Sequence, residues 1–136
     1  MKKYLIDTNI LIEFMHGNET ILRKIREIGI KNCFISGISL CELYFGAYYV
    51  KDTKYFAQEI ERIRIIRKKF PIITTENNSE LFGKIKADLT KAGLPIDEFD
   101  ILIGSLAITN NLIMVTNNLK HFRRIPMLLV ENWLAQ

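Results

Sequence analysis

Cysteine, proline and glycine are all scarce in this sequence of 136 residues, which contains two Cys, three Pro and seven Gly. So few Pro and Gly exclude collagen-like and low-complexity chains, and two cysteines cannot supply a disulfide framework. Cys33 and Cys41 stand in apolar surroundings, without a CxxC pair or a neighbouring histidine. We therefore predict buried thiols rather than a zinc site.

Long hydrophobic runs are also missing. Asp7 follows Lys2 and Lys3 too soon for the apolar stretch of a secretory signal, and no segment approaches the roughly 20 apolar residues of a membrane span. We expect a cytoplasmic protein without membrane association. Residues 1–136 are expected to form a single domain, because this length suffices for one core but not for two ordinary domains.

Positive charge exceeds negative charge and is unevenly distributed. Nineteen Lys and Arg against fifteen Asp and Glu give a net charge of +4. Seven basic and three acidic residues lie between Lys51 and Lys69, and Lys120, Arg123 and Arg124 cluster near the C-terminus. Such patches suit a polyanionic partner, because phosphate contacts release condensed counterions. A solvated helix face is the alternative that composition leaves open.

The spacing of apolar residues predicts strands alternating with helices. Short apolar runs predict strands at 4–6, 33–35, 71–74, 112–115 and 128–130. Helical spacing predicts helices from about residue 9 and over 19–28, 39–50, 53–69, 79–92 and 99–110. Uninterrupted apolar runs favour parallel pairing. The predicted fold class is α/β, with helices flanking a central, mostly parallel sheet.

Acidic residues occupy similar places after several of these elements. Asp7 closes the first strand, Glu42 lies in the first turn of the helix after the second, and Asp97 and Asp100 follow Pro95 at the start of another helix. The functional crevice of an open α/β sheet lies beyond the carboxyl ends of its strands, so we expect these carboxylates to meet. Clustered carboxylates repel unless a cation neutralises them, and oxygen-only ligands favour Mg²⁺ or Mn²⁺ over zinc. Beside basic patches, such a cluster points to phosphodiester chemistry.

Each acid also has a purely structural interpretation. Asp7 can cap the helix that follows it, and Glu42 can complete a capping box with Ser39 three residues earlier. Asp97 and Asp100 can be an N-cap and a first-turn acid that complements the helix dipole. The functional interpretation depends on their joint placement at matching ends of successive elements.

Four segments together resemble PIN-domain nucleases and, more narrowly, the VapC-type toxins of toxin–antitoxin modules. They are L-I-D-T-N-I-L at 5–11, S-L-C-E-L at 39–43, P-I-D-E-F-D-I-L-I at 95–103 and V-T-N-N at 115–118. The resemblance covers nearly the whole chain. It implies a three-layer α/β/α, PIN-like fold with four or five parallel strands, and RNA cleavage that depends on Mg²⁺, with Mn²⁺ as a substitute.

The resemblance also assigns roles to the acids. By position, Asp7, Glu42 and Asp100 match the three most dependable acids of the family, which implies that they hold the metal. Asp97 lies where acids appear only in some members and is a secondary candidate. The expected nucleophile is water activated by the metal, because the sequence has no Ser–His–acid pattern and His16 and His121 are not placed to form one.

The chain departs from the family pattern at the fourth acid. Asn117 and Asn118 stand where many relatives have an Asp, and His121 stands before Phe122 where others carry an acid. A neutral amide cannot offset the charge of a second ion, so we expect one firmly held cation and any second ion to be weak or brought by the RNA. Asn118 is a predicted site residue and Thr116 a predicted hydrogen-bonding neighbour. An ordinary turn is the alternative for the Asn pair.

The VapC-type resemblance further implies a homodimer, a VapB-type antitoxin that obstructs the acidic site, and a structured RNA substrate such as tRNA or rRNA. One helix offers a candidate contact surface, since its apolar residues cover more than one face. These residues are Leu43, Tyr44, Phe45, Ala47 and Tyr48. Core packing is the alternative use of the same residues.

Two other classes of function remain open. An Asp at the end of a first strand also marks phosphotransfer domains, although Asn9 stands where haloacid-dehalogenase phosphatases want a second Asp, and the paired acids of receiver domains are missing. The second class is a catalytically silent PIN-like module that binds RNA, which the missing fourth acid permits. RNA binding without cleavage in Mn²⁺ would favour that module.

Overall fold

A computed structural model describes residues 1–134, and in this range the chain forms five strands, seven α-helices and one 3₁₀ turn. The strands are β1 (Tyr4–Ile6), β2 (Cys33–Ser36), β3 (Ile72–Ile73), β4 (Ile113–Val115) and β5 (Val130–Glu131). The helices are α1 (Thr8–Met15), α2 (Glu19–Ile28), α3 (Gly37–Tyr49), α4 (Phe56–Lys69), α5 (Ser79–Lys91), α6 (Glu98–Thr109) and α7 (Leu119–Phe122), and the 3₁₀ turn is Ile30–Asn32. Within these residues no helix combines the length and the apolar character needed to cross a membrane.

Every predicted strand and helix exists, with some displaced boundaries. Helix α4 begins at Phe56 rather than near Thr53, because the Thr53 hydroxyl donates to the Val50 carbonyl and holds a turn there. Strand β5 lies later than predicted, since Met127 has a positive φ of 69° and keeps the preceding chain out of extended pairing. Helix α7 was not predicted, because four residues are too few to show a helical period.

All paired strands run parallel, in the order β3-β2-β1-β4-β5. Strand β1 lies at the centre. The chain builds outward through β2 and β3, then crosses to the other side for β4 and β5. The strand order therefore reverses between β1 and β4, which is where a ligand crevice forms in such sheets.

Alternate side chains of the central strand enter two separate cores. Tyr4 and Ile6 pack in a cluster with residues of α1, α2, α3 and α4. Leu5 packs on the opposite face, in a cluster with residues of α5, α6 and α7. Because both faces are covered, β1, β3 and β4 consist of hydrophobic residues only. The predicted three-layer α/β/α arrangement is confirmed, with five strands that are all parallel.

The start of α3 differs from the sequence prediction. The N-cap is Ser36, whose Oγ accepts from the backbone N–H of Ser39 at 3.0 Å, and the helix begins at Gly37. The predicted capping box between Ser39 and Glu42 is therefore wrong. Strand β2 runs straight into α3, so its last residue is already the cap, and Glu42 lies in the second turn rather than the first.

Only one of the two cysteines is buried as predicted. Cys33 lies in the core, where burial raises the pKa of its thiol to about 11. Cys41 is exposed, which corrects the prediction for that residue. The adjacent Leu40 and the nearby Leu43 and Ala47 take the core-facing positions of α3, so Cys41 faces solvent.

Candidate active site

Asp7 lies at the reversal point of the sheet, between the end of β1 and the start of α1. Its backbone N–H donates to the Val115 carbonyl at 2.9 Å and extends the pairing of β1 with β4. The residue is only 4% exposed. Oδ1 accepts from the Thr8 N–H at 2.8 Å, and Oδ2 accepts from the Thr116 hydroxyl at 2.8 Å and the Asn9 amide at 3.1 Å. Asp7 does cap α1, as the structural interpretation predicted, but a cap needs only the Thr8 contact.

The segment after β4 is bonded to the segment after β1. The buried Thr116 hydroxyl donates to Asp7 Oδ2 and accepts from the Asn118 N–H at 2.9 Å. The Asn117 N–H donates to Asn9 Oδ1 at 3.0 Å. Sequence-distant polar residues thus form one network, in which Thr116 makes the hydrogen bonds predicted for it.

Glu42 reaches the same crevice from α3. The Thr8 hydroxyl donates to Glu42 Oε1 at 2.7 Å and lies 2.9 Å from Ser39 Oγ. Ser39 Oγ is in turn 3.3 Å from Ser36 Oγ, the cap of α3. These contacts connect the ends of β1 and β2 and fix Glu42 beside Thr8.

Helix α6 brings the remaining two acids. Asp97 is its N-cap, and Oδ1 accepts from the Phe99 N–H at 2.8 Å, as the capping interpretation predicted. Asp100 lies one turn later and is partly buried. Its Oδ2 is 3.8 Å from Nδ1 of His121 on α7, and the same Nδ1 lies 2.9 Å from the Asn118 amide nitrogen. Sequence reasoning did not place His121 at the site, although its position before Phe122, where relatives carry an acid, was the available signal.

The carboxylates influence one another electrostatically. Burial raises the pKa of Asp100 to about 7, and the charges of Asp7, Asp97 and Glu42 add to this shift. The pKa of Glu42 is also raised, by burial and by the charges of Asp7 and Asp97, against the lowering effect of the Thr8 hydrogen bond. Burial raises the pKa of Asp7, while its three donors oppose the shift. The fold thus brings together all four acids that the sequence singled out.

The donor set suits a hard, hydrated cation. The groups are carboxylate, amide and hydroxyl oxygens, which Mg²⁺ and Mn²⁺ prefer. Among residues 1–134, no three acidic, histidine or cysteine side chains converge closely enough to enclose a metal ion by themselves. Mg²⁺ usually keeps several waters and takes one or two protein carboxylates. An open arrangement of mutually repelling carboxylates therefore fits such an ion better than a dehydrated one.

Comparison with known proteins identifies the family. The family described as PIN domain matches residues 4–128. Ribonuclease VapC2 of Haemophilus influenzae is 36% identical, covering 98% of this chain and 99% of its own. The tRNA(fMet)-specific endonuclease VapC of Salmonella typhimurium is 28% identical, covering 98% of this chain and 99% of its own. The crystal structure of VapBC2 from Rickettsia felis, bound to a DNA fragment from their promoter, matches with a TM-score of 0.84 and 32% identity, covering 96% of this chain and 98% of that one.

The matched family and the relatives together place the molecule in a class of nucleases. The chain belongs to the PIN-domain family, within its group of VapC-type ribonucleases. Asp7, Glu42 and Asp100 all lie within the residues that match the PIN domain.

Proposed function

We propose that this chain is a divalent-cation-dependent endoribonuclease and the toxin of a VapBC-type module. Asp7, Glu42 and Asp100 hold Mg²⁺, with Mn²⁺ as a substitute, and Asp97 contributes charge from the rim. The observation that carries the proposal is the placement of Asp7, Glu42 and Asp100 at the reversal point of the sheet. There burial, and after it the charges of neighbouring carboxylates, raise the pKa values of Glu42 and Asp100. Such repulsion at the reversal point of a parallel sheet is relieved when a cation binds.

The chain's own residues prepare the site before any cation arrives. A bound divalent cation supplies a Lewis acid that activates water and neutralises charge on the scissile phosphate. Thr116 and Asn9 fix Asp7, while Thr8 fixes Glu42. Asn118 contacts Thr116 through its backbone N–H and His121 through its side-chain amide. We assign this amide a contact with water or phosphate.

A structured RNA such as tRNA or rRNA is the proposed substrate. Lys120 and Arg123 are exposed on and just after α7, beside the acidic site. In α4, by contrast, Arg62 and Arg64 form ion pairs with glutamates one turn earlier, which reduces the charge available for RNA. The name of the Salmonella relative supports tRNA as the first RNA to test.

An RNA-cleavage assay tests the proposal. Purified chain is incubated with a tRNA pool in Mg²⁺, in Mn²⁺ and in EDTA, and the new RNA ends are sequenced. We expect discrete internal cuts that require the cation and that fall at least about 100-fold in Glu42→Gln, since a lost metal contact costs several kcal/mol. Asp88→Asn is the matched control, because Asp88 is an exposed acid paired with Lys84. Cleavage in EDTA would refute the metal dependence, and RNA binding without cleavage in Mn²⁺ would favour a silent module.

The proposed protein partner is a VapB-type antitoxin that occupies the groove leading to the acids. This groove lies between α1, α3 and α4, and Glu42 stands at one end. Its apolar lining includes Ile12, Met15, Ala47 and Val50. An apolar segment of antitoxin fits there, and a basic side chain at its end would be attracted to Asp7 or Asp100.

Substitution in the groove tests the antitoxin site. Ile12 is 41% exposed, so Ile12→Asp is tolerated by the fold yet places a charge in the apolar lining. We expect inhibition by the cognate antitoxin to weaken at least about tenfold, while cleavage by the free toxin is retained. Leu129→Asp, at a residue 66% exposed on the opposite edge of the sheet, is the control. Equal inhibition of both variants would exclude this groove.

We also propose a homodimer through the exposed end of α3. Phe45 and Tyr49 are 70% and 81% exposed, and their ring centroids lie 5.9 Å apart. Leu43 and Ala47 take the core-facing positions, whereas Phe45 and Tyr49 lie on an exposed face of the same helix. Light scattering should show a dimer that becomes a monomer in a Phe45→Ser, Tyr49→Ser double variant. A persisting dimer would move the interface elsewhere.

A further inference from the structure

We propose that His121 is a ligand of the site cation through Nδ1, and that this ligand gives the site a preference for transition-metal ions such as Mn²⁺ over Mg²⁺. The inference rests on the proposed function, because it places the cation next to Asp100. It concerns a histidine to which the proposed function assigns no role.

The distances allow one ion to be shared. His121 Nδ1 lies 3.8 Å from Asp100 Oδ2. Two ligand atoms about 2.1 Å from one octahedral ion are about 3 Å apart when adjacent and about 4.2 Å apart when opposite. The observed separation lies between these two values, so a movement of about 0.8 Å would bring the two atoms into adjacent positions on one ion. It is also too long for a direct hydrogen bond between the two side chains.

The surrounding structure holds His121 in this position. The adjacent Phe122 is fully buried in the core formed with α5 and α6, and the Phe122 and Arg123 N–H groups donate to carbonyls at the start of α7. These contacts fix the backbone of a short helix that would otherwise fray. His121 is therefore directed toward α6 and Asp100 without any rearrangement of α7.

The contact with Asn118 occupies the ring nitrogen that lies nearest Asp100. The Asn118 Nδ2 atom lies 2.9 Å from His121 Nδ1. With the amide as donor, Nδ1 is the acceptor and the ring proton is on Nε2, which is a tautomer that binds metals. A half-turn of the Asn118 amide would release that lone pair and present its carbonyl oxygen to the same space. Asn118 can thus complete a ligand set with Asp100 and His121.

The chemistry of this set differs from a purely acidic one. Imidazole nitrogen favours transition-metal ions over Mg²⁺, whereas carboxylate oxygen suits Mg²⁺ as well as Mn²⁺. A neutral ring in place of an acid also removes one negative charge from the site. The cation selectivity should therefore shift toward Mn²⁺, even though oxygen atoms supply the other ligands.

Pulsed electron paramagnetic resonance of bound Mn²⁺ tests the proposal directly, because it detects coupling to a ligating nitrogen. The chain has two histidines, His16 and His121, so an untagged protein offers a matched control. His16 is the C-cap of α1, and its Nε2 lies 3.6 Å from Oε1 of Glu59 on α4. We expect imidazole nitrogen coupling in the wild type and in His16→Gln, and its loss in His121→Gln.

Calorimetric titration adds a quantitative readout. His121→Gln should weaken Mn²⁺ binding by about tenfold or more and Mg²⁺ binding by less. Mutating residues that only orient metal ligands already lowers metal affinity by about tenfold to 100-fold. His121→Glu should restore Mg²⁺ binding without the nitrogen coupling. Circular dichroism confirms that each variant is folded before the titration.

The outcomes separate this inference from the proposed function. Mn²⁺ that binds the wild type without nitrogen coupling overturns the role of His121 and leaves a metal-dependent nuclease intact. Coupling that disappears in His16→Gln also overturns it. A wild type that binds neither Mn²⁺ nor Mg²⁺ overturns both the inference and the proposed metal site.

Discussion

The two ends of the acidic site are built in different ways. Asp7 is almost completely buried, and three donors within 3.1 Å hold its oxygens. Each of these donors lowers the pKa that burial raises. At Asp100, burial and the charges of Asp7, Asp97 and Glu42 all raise the pKa, to about 7. One end is organised by the fold itself, whereas the other carries repulsion that a cation would relieve.

This difference follows from the elements that carry the two acids. Asp7 directly follows β1 and Thr116 directly follows β4, and the N–H group of each extends the strand pairing, so the backbone fixes both positions. Asp100 lies on α6, which contacts the sheet through its opposite, buried face. The position of Asp7 is fixed before a cation binds, whereas the charge of Asp100 is unfavourable in the metal-free site. A cation that binds beside Asp100 therefore gains binding free energy by relieving this unfavourable charge.

The largest expected effect comes from substituting Asp7, the acid whose position the fold itself fixes. Asp7→Asn keeps the shape of the side chain but removes the charge that a cation would contact. We expect RNA cleavage to fall by about 10³-fold or more, since electrostatic stabilisation by a metal contributes several kcal/mol. Cleavage assays in Mg²⁺ and Mn²⁺ measure this effect. Activity within tenfold of the wild type would remove Asp7 from the centre of the site.

The next effect tests whether the donors around Asp7 matter. Thr116→Val removes the hydroxyl that donates to Asp7 and accepts from the Asn118 N–H. We expect kcat to fall by about tenfold to 100-fold, as for other residues that orient metal ligands. Unfolding free energy should fall by about 1–2 kcal/mol, because a buried N–H loses its partner. Thr116→Ser keeps the hydroxyl and should be nearly normal, so equal activity of the Val and Ser variants would contradict the idea.

The sequence predicted the surroundings of Asp7 better than those of Asp100. Asp7 and Thr116 follow short apolar strands, and parallel strands necessarily bring their carboxyl ends to one edge. The strand and helix pattern therefore gave both the layer order and the meeting of the acids. The resemblance to PIN-domain nucleases added the expected ligands Asp7, Glu42 and Asp100.

What the sequence could not predict depends on short-range geometry. Ser36 stands three residues before Ser39, and Ser39 stands three residues before Glu42, so spacing alone does not show which serine is the cap of α3. The backbone shows that it is Ser36. The approach of His121 to Asp100 depends on α7, a helix of four residues that has no detectable period. The exposure of Cys41 depends on how α3 is rotated about its axis, which an apolar helix with several hydrophobic faces does not specify.

Measurements of the unfolding free energy test the unfavourable charge of Asp100 without RNA. Because the pKa of Asp100 is raised from 3.8 to about 7, the folded state binds its proton more tightly than the unfolded state does. Stability of the metal-free protein should therefore fall as the pH rises from about 4 to about 7, and the full deficit is present above pH 7. Asp100→Asn removes this deficit and should raise the unfolding free energy at pH 8 by about 1–2 kcal/mol, allowing for solvent screening.

Urea unfolding in EDTA at pH 5 and pH 8 measures the difference. The gain from Asp100→Asn should be smaller at pH 5, and added Mg²⁺ should stabilise the wild type more than the variant. Asp88→Asn is the control, since Asp88 is an exposed acid whose substitution should matter little at either pH. An Asp100→Asn protein less stable than the wild type at both pH values would show that the repulsion is unimportant.

The smallest expected effect concerns how α3 delivers Glu42 to the crevice. Ser36→Ala removes the cap that accepts from the Ser39 N–H, which should cost about 1 kcal/mol of unfolding free energy. Ser39→Ala leaves that cap in place and leaves Thr8 free to donate to Glu42, so it should cost less. Urea unfolding of the two variants, with cleavage measured on the folded protein, compares them directly. If Ser39→Ala were the more damaging change, α3 would begin at the capping box suggested by its sequence, and Glu42 would belong to the first turn of the helix.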